Sequence, residues 1–330
     1  MVPAKLPDQV VNFKEDLRLT LATRTFLQEL NAAGGPPLES LTPEAARLVL
    51  VGAQASVPTD LSGISESEKT ISADGYSITL NIVRPEAAQG DLPVFLFIHG
   101  GGWVLGDYPT HKRMVRDLVV LSGCACVFVN YTPAPDKQYP HQINEIFAAA
   151  KWVAANGRDI QVDGSRLAIV GNSAGGDMAA AVCLMAKHKG GPEIKLQVLF
   201  WPVTNADFDT DSYRQFGEDR FLTSSLMQWM FDQYAPDPAT RREIYFAPLL
   251  ASPEQLKGLP PALIQVAEND ILLDEGEAYG RKLDEAGVPA TVVRYNGMIH
   301  DFGLLNALAE LPATRSLFVQ AAAELKSYLS

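Results

Sequence analysis

Cysteine, positive charge and long apolar runs are all scarce in this chain, and each scarcity removes a class of function. Only Cys124, Cys126 and Cys183 are cysteines. They are an odd set in apolar surroundings without metal-ligand spacing, which argues against a disulfide framework or a zinc site and for reduced, buried, chemically idle thiols. Lys and Arg number 27 against 39 Asp and Glu, a formal charge of −12. That balance argues against nucleic acid or an anionic membrane as partner and mainly favours solubility. No apolar stretch approaches the ~20 residues of a membrane span. Asp8, Lys14, Glu15 and Asp16 interrupt any signal-peptide core, so a cytoplasmic location is the expectation. The sequence also lacks internal repeats, low-complexity tracts and charge runs.

What the chain does have is core-forming material: 47% of its residues are hydrophobic and 20% charged, the balance of a globular protein. From about residue 68, short apolar stretches rich in Val, Ile, Leu and Phe alternate with segments of helical spacing, as in a mostly parallel sheet covered on both faces. Residues 68–73 and 76–83 flank Asp74-Gly75 and read as an antiparallel hairpin. Residues 94–98, 125–131, 166–170, 194–200, 262–267 and 290–295 read as successive buried strands, about eight in all with the hairpin. Helices are expected over residues 141–155, 177–189 and 275–286, ending near Gly157, Gly190 and Gly287.

Two regions stand outside the alternation. Residues 1–55 read as helical, over 13–32 and 43–54, and residues 204–245 form an aromatic-rich insertion between two strands. Long insertions at the C-terminal edge of a parallel sheet lie beside its site. Both regions are therefore expected to form a helical cap over a catalytic domain made of residues 56–203 and 246–330.

The chemistry centres on Gly171-Asn172-Ser173-Ala174-Gly175-Gly176, which follows a predicted strand and precedes an alanine-rich segment. G-x-S-x-G alone is weak. In this strand-turn-helix setting it reads as a nucleophile elbow, with small residues where strand and helix must approach closely. A second motif, His99-Gly100-Gly101-Gly102-Trp103, closes the strand at 94–98. A serine hydroxyl needs a base, and the base needs a group that fixes its tautomer. Of the five histidines, only His188 and His300 follow Ser173, as the elbow order requires. His188 sits about ten residues down the helix behind the serine, roughly 20 Å away at ~1.5 Å per residue, which leaves His300. The acid is expected just past the preceding strand, at Asp270, with Asp274 and Glu275 placed instead to compensate the dipole of the next helix. Asp301, adjacent to His300, reads as a solvated or loop-capping carboxylate. The N–H groups of Gly101, Gly102 and Ala174 are the expected oxyanion donors. His99 reads as an anchor of the glycine loop, while Trp103 suits either stacking on substrate or pinning that loop to the core.

Taken with Asn130-Tyr131-Thr132-Pro133-Ala134-Pro135 and Trp201-Pro202-Val203-Thr204, these motifs resemble the hormone-sensitive-lipase-like esterases of the α/β-hydrolase superfamily, over about residues 40–325. The resemblance implies an α/β-hydrolase fold and hydrolysis of small-molecule esters with short to medium acyl chains, without metal or cofactor. It also implies a helical cap, and dimers are frequent in the family through a sheet edge. Trp103 and Asn172 are expected near the substrate. Asn172 departs from the Asp or Thr usual before the nucleophile, which bears on subgroup and substrate rather than on activity. Two alternatives are an amide or formamide hydrolase of the same fold and a non-catalytic receptor of the gibberellin-receptor type. The intact Gly102 favours esters over the first, and the presence of His300 argues against the second.

Overall fold

The computed structural model describes residues 12–330; residues 1–11 of the expected cap lie outside that range. One eight-stranded sheet organises the chain in the order β1-β2-β4-β3-β5-β6-β7-β8. Its strands are β1 (Ile64–Ala73), β2 (Tyr76–Pro85), β3 (Leu92–Ile98), β4 (Ala125–Asn130), β5 (Val162–Asn172), β6 (Gln197–Phe200), β7 (Ala262–Asn269) and β8 (Ala290–Ile299). The hairpin turns at Asp74-Gly75, where both residues adopt positive φ. β1 pairs with β2 and β2 with β4 antiparallel, and every other pairing is parallel. Alternate side chains point to opposite faces of a strand. In β3, accordingly, Val94, Leu96 and Ile98 join one buried cluster while Phe95 and Phe97 join the other.

The helices are α1 (Leu21–Ala33), α2 (Pro43–Ala55), α3 (Tyr108–Ser122), α4 (His141–Asn156), α5 (Ala174–Lys189), α6 (Asp211–Phe216), α7 (Ser224–Tyr234), α8 (Pro253–Leu256), α9 (Leu273–Glu285) and α10 (Pro312–Leu329). α4, α5 and α9 bury their apolar sides on one face of the sheet, α3 and α10 on the other. Among the described residues, no helix is long and apolar enough to cross a membrane. The three cysteines are unpaired and buried.

The sheet contains every expected strand, with β1, β3 and β5 starting earlier and β6 later, but residues 290–295, expected to be buried, are half-buried or exposed because β8 is an edge strand paired only with β7. The N-terminal helix is shorter than the expected 13–32. Asn12 and Asp16 accept hydrogen bonds from the backbone N–H two residues on, which favours turns over helix. α1 begins only once the Thr20 side chain caps the Thr23 N–H.

The insertion packs over the C-terminal edge of the sheet. Trp103, in the glycine loop after β3, stacks on Tyr234 at 4.5 Å and meets Phe231 edge-on at 5.1 Å. The N-terminal segment joins it: Arg18 donates to Gln215, Asp16 pairs with Arg220, and Glu39 accepts from Ser225. α2 reaches the same end, where Arg47 donates to the carbonyls of Val104 and Ala134.

Candidate active site

The parallel strands deliver their loops to a single edge. Ser173 directly follows β5, Asp270 follows β7 and His300 follows β8. Ser173 adopts φ 54 and ψ −124, a conformation that costs about 1–3 kcal/mol and persists only where its surroundings impose it. They do. Its N–H donates to Phe200, and its carbonyl accepts from Gly176, Asp177 and Val203. No side chain fits beneath the turn: a Cβ on Gly175 would lie 2.0 Å from the Ile98 carbonyl oxygen.

The Oγ of Ser173 lies 3.0 Å from Nε2 of His300, whose Nδ1 lies 2.7 Å from Oδ2 of Asp270. Asp270 Oδ1 accepts from the Leu272 N–H. All three side chains are buried. Burial alone would depress the His300 imidazole, but the Asp270 and Asp301 carboxylates outweigh it, so its pKa stands above the usual 6.5.

Gly101 and Gly102 both have positive φ. Among the described residues, neither N–H donates a hydrogen bond within the protein. Ala174 opens α5, so its N–H has no intrahelical acceptor. The insertion sits directly on this loop: a Cβ at Gly102 would fall 1.9 Å from Sδ of Met230.

The neighbours sort into distinct tasks. His99 is buried, donates from Nδ1 to the Gly100 carbonyl at 2.8 Å and stacks on Tyr131 at 4.2 Å. Burial pushes its pKa down to about 4 against the pull of that carbonyl, so it stays neutral as a loop anchor. Trp103 is wholly buried among insertion aromatics, which is the pinning alternative of its two readings. Asn172, expected near substrate, has its amide committed elsewhere: Oδ1 accepts from Gly100 N–H at 2.9 Å, and Nδ2 donates to Asp301 at 3.3 Å. His188 hydrogen-bonds Tyr245 instead of facing the serine.

Asp274 accepts from the Ser212 N–H at the start of α6. The Ser212 hydroxyl donates to the Ile271 carbonyl at 2.5 Å, so one insertion residue holds both the loop after Asp270 and the first turn of α9. Glu275 turns inward and accepts from the N–H groups of Thr204 and Asn205. Burial holds its carboxyl, and that of Asp177 behind the elbow, well above the usual range.

Asp301 corrects the sequence reading. It is neither solvated nor a simple loop cap: it is buried, and its Oδ1 accepts from the Trp201 indole at 2.7 Å and from Asn172. Consecutive side chains diverge in extended backbone. Asp301 instead has φ 59, the left-handed region that Asp tolerates better than most residues, and this brings its carboxylate back to the imidazole. Trp201 and Met230 were also missed as neighbours of the site.

Residues 95–304 match the model of the alpha/beta hydrolase fold family. The chain is 33% identical to the carboxylesterase NlhH of Mycobacterium tuberculosis, covering 79% of this chain and 82% of that one. It is 30% identical to an ethyl acetate hydrolase of Pseudomonas putida, with 88% and 93% covered. The crystal structure of a thermostable esterase from Pseudomonas putida ECU1011 superposes with a TM-score of 0.95 at 56% identity, over 96% of this chain and 99% of that one.

Proposed function

The chain belongs to the alpha/beta hydrolase fold family and is an esterase; from that premise we propose that it hydrolyses short- to medium-chain acyl esters through an acyl-enzyme on Ser173. The observation that carries this reading is the continuous relay from Ser173 Oγ to His300 Nε2, at 3.0 Å, and from His300 Nδ1 to Asp270, at 2.7 Å. His300 takes the serine proton as Oγ attacks the ester carbonyl. Asp270 fixes the tautomer and balances the imidazolium that results. The developing oxyanion falls to the N–H groups of Gly101, Gly102 and Ala174; each such donor is typically worth ~3–4 kcal/mol in the transition state. The alcohol leaves with the proton from Nε2. Water then attacks the acyl-enzyme with His300 as base again, releasing the carboxylic acid and restoring the serine.

The insertion and the N-terminal helices act as a cap that bounds the acyl pocket and excludes water. The activity of the Pseudomonas relative on ethyl acetate supports a short-acyl preference, and acyl chains of about two to eight carbons fit an enclosed pocket of ordinary size. A fluorophosphonate probe is expected to label Ser173 stoichiometrically and nothing else. Ser173→Ala should abolish labelling and nearly all nitrophenyl-ester hydrolysis without changing the unfolding temperature. Stoichiometric labelling at another residue would sink the assignment.

A further inference from the structure

The imidazole of His300 faces two carboxylates. Asp270 binds Nδ1 at 2.7 Å, and Oδ2 of Asp301 stands 3.8 Å from Nε2. Both donors that restrain Asp301 end on its other oxygen: Trp201 Nε1 at 2.7 Å and Asn172 Nδ2 at 3.3 Å. Oδ2 is thereby directed at the ring. At 3.8 Å it is beyond hydrogen-bonding distance, so it attracts the charge of an imidazolium without competing for the Nε2 proton. Asn172 couples this arrangement to the glycine loop, since its Oδ1 accepts from Gly100 N–H.

We propose that Asp301 is a positioning residue of the esterase reaction: a second counter-charge on the Nε2 side of His300, held ionised and correctly aimed by Trp201 and Asn172. The inference rests on the reading of Ser173, His300 and Asp270 as the reacting unit. It explains what the amide at position 172 does. A carboxylate there would face Asp301 across 3.3 Å and force one of the two to take a proton, whereas the amide donates.

The charged groups facing the imidazole are Asp270, from the end of β7, and Asp301 on its own loop. Burial holds the Asp301 carboxyl above the usual range, with the Asp270 charge adding to that, against the opposing pull of the His300 imidazolium, Trp201 and Asn172. His300 must be neutral to accept the serine proton, and both carboxylates raise its pKa. The acid limb of kcat/KM therefore lies above pH 6.5, and removing either charge moves it down.

The test is Asp301→Asn, whose side-chain carbonyl keeps an acceptor for Trp201 and Asn172 while the charge is lost. The acid limb is expected to move to lower pH by about one unit. Plateau kcat should fall about tenfold, because the same attraction stabilises the imidazolium in the transition state, and KM should change little. An unchanged acid limb and plateau in a folded variant would overturn the proposal. Should this variant fail to fold, the His300 imidazole can be titrated by NMR in Asp270→Asn. With Asp301 as sole counter-charge the midpoint is expected near or above 6.5, and a midpoint well below it, as for a buried unpaired imidazole, would overturn the proposal equally. Failure of Ser173 to take the fluorophosphonate label in the unaltered protein would instead remove the underlying reading.

Discussion

At the elbow, backbone meets backbone; under the insertion, side chain meets side chain. A Cβ on Gly171 or Gly175 would lie 2.2 or 2.0 Å from a carbonyl oxygen, and a carbonyl fixed in a sheet or helix cannot step aside. Beneath the insertion, Trp103 meets Tyr234, Phe231 and Phe246 at centroid separations of 4.5 to 5.9 Å, and such rings can be exchanged for others of similar volume. The first region has one solution to its geometry and the second has many. The backbone of the elbow is therefore held by contacts that leave no room for a side chain, while the ring contacts beneath the insertion can be exchanged.

The largest test of this contrast lies within the acid loop itself. Asp270→Asn should lower turnover by orders of magnitude, about 10⁴-fold for the equivalent loss in a serine triad. Asp274→Asn, whose partner is the Ser212 N–H, should cost only a modest amount of stability. Steady-state kinetics and thermal unfolding on both variants decide it, and the reverse ranking would transfer the role of acid to Asp274.

The next test sets one region against the other. Gly175→Ala forces a methyl onto the Ile98 carbonyl and should destabilise by about 1–3 kcal/mol or more, with activity lost alongside. Met230→Ala removes the sulfur resting on Gly102; the protein should stay folded and shift its preferred nitrophenyl ester to a longer acyl chain. Equal stability losses in the two variants would erase the distinction between the regions.

The smallest effect concerns the N-terminal helices. Removing residues 1–40 takes away Asp16, Arg18 and Glu39, which reach Arg220, Gln215 and Ser225 of the insertion. Activity should fall, the chain-length profile should broaden, and dye binding should report newly exposed apolar surface. An unchanged rate and profile would show these helices to be decoration.

The legibility of the sequence divides along the same line. Ser173, Asp270 and His300 could be found because each follows a short apolar strand, and strand ends are written in local composition. Asp301 could not, because its role depends on a left-handed φ that no neighbouring residue type announces. The Asn172 amide was legible as a departure from the resembled pattern, but its partners Gly100 and Asp301 are 72 and 129 residues away. The start of α1 was misplaced because apolar spacing extends through Phe13 and Leu19, two residues that are buried in turns rather than in a helix. Met230 reads as one more apolar position of an amphipathic helix, and only the tertiary fold sets its sulfur on a glycine.

Ser212 joins the two regions. Its N–H and hydroxyl hold Asp274 and the Ile271 carbonyl, so the insertion is fastened to the same short loop that presents Asp270 to the imidazole. An ester too bulky for the insertion to seat over it would strain that fastening, and its penalty should then appear in kcat more than in KM, as a difference of tempo that steady-state kinetics on small and bulky esters would read.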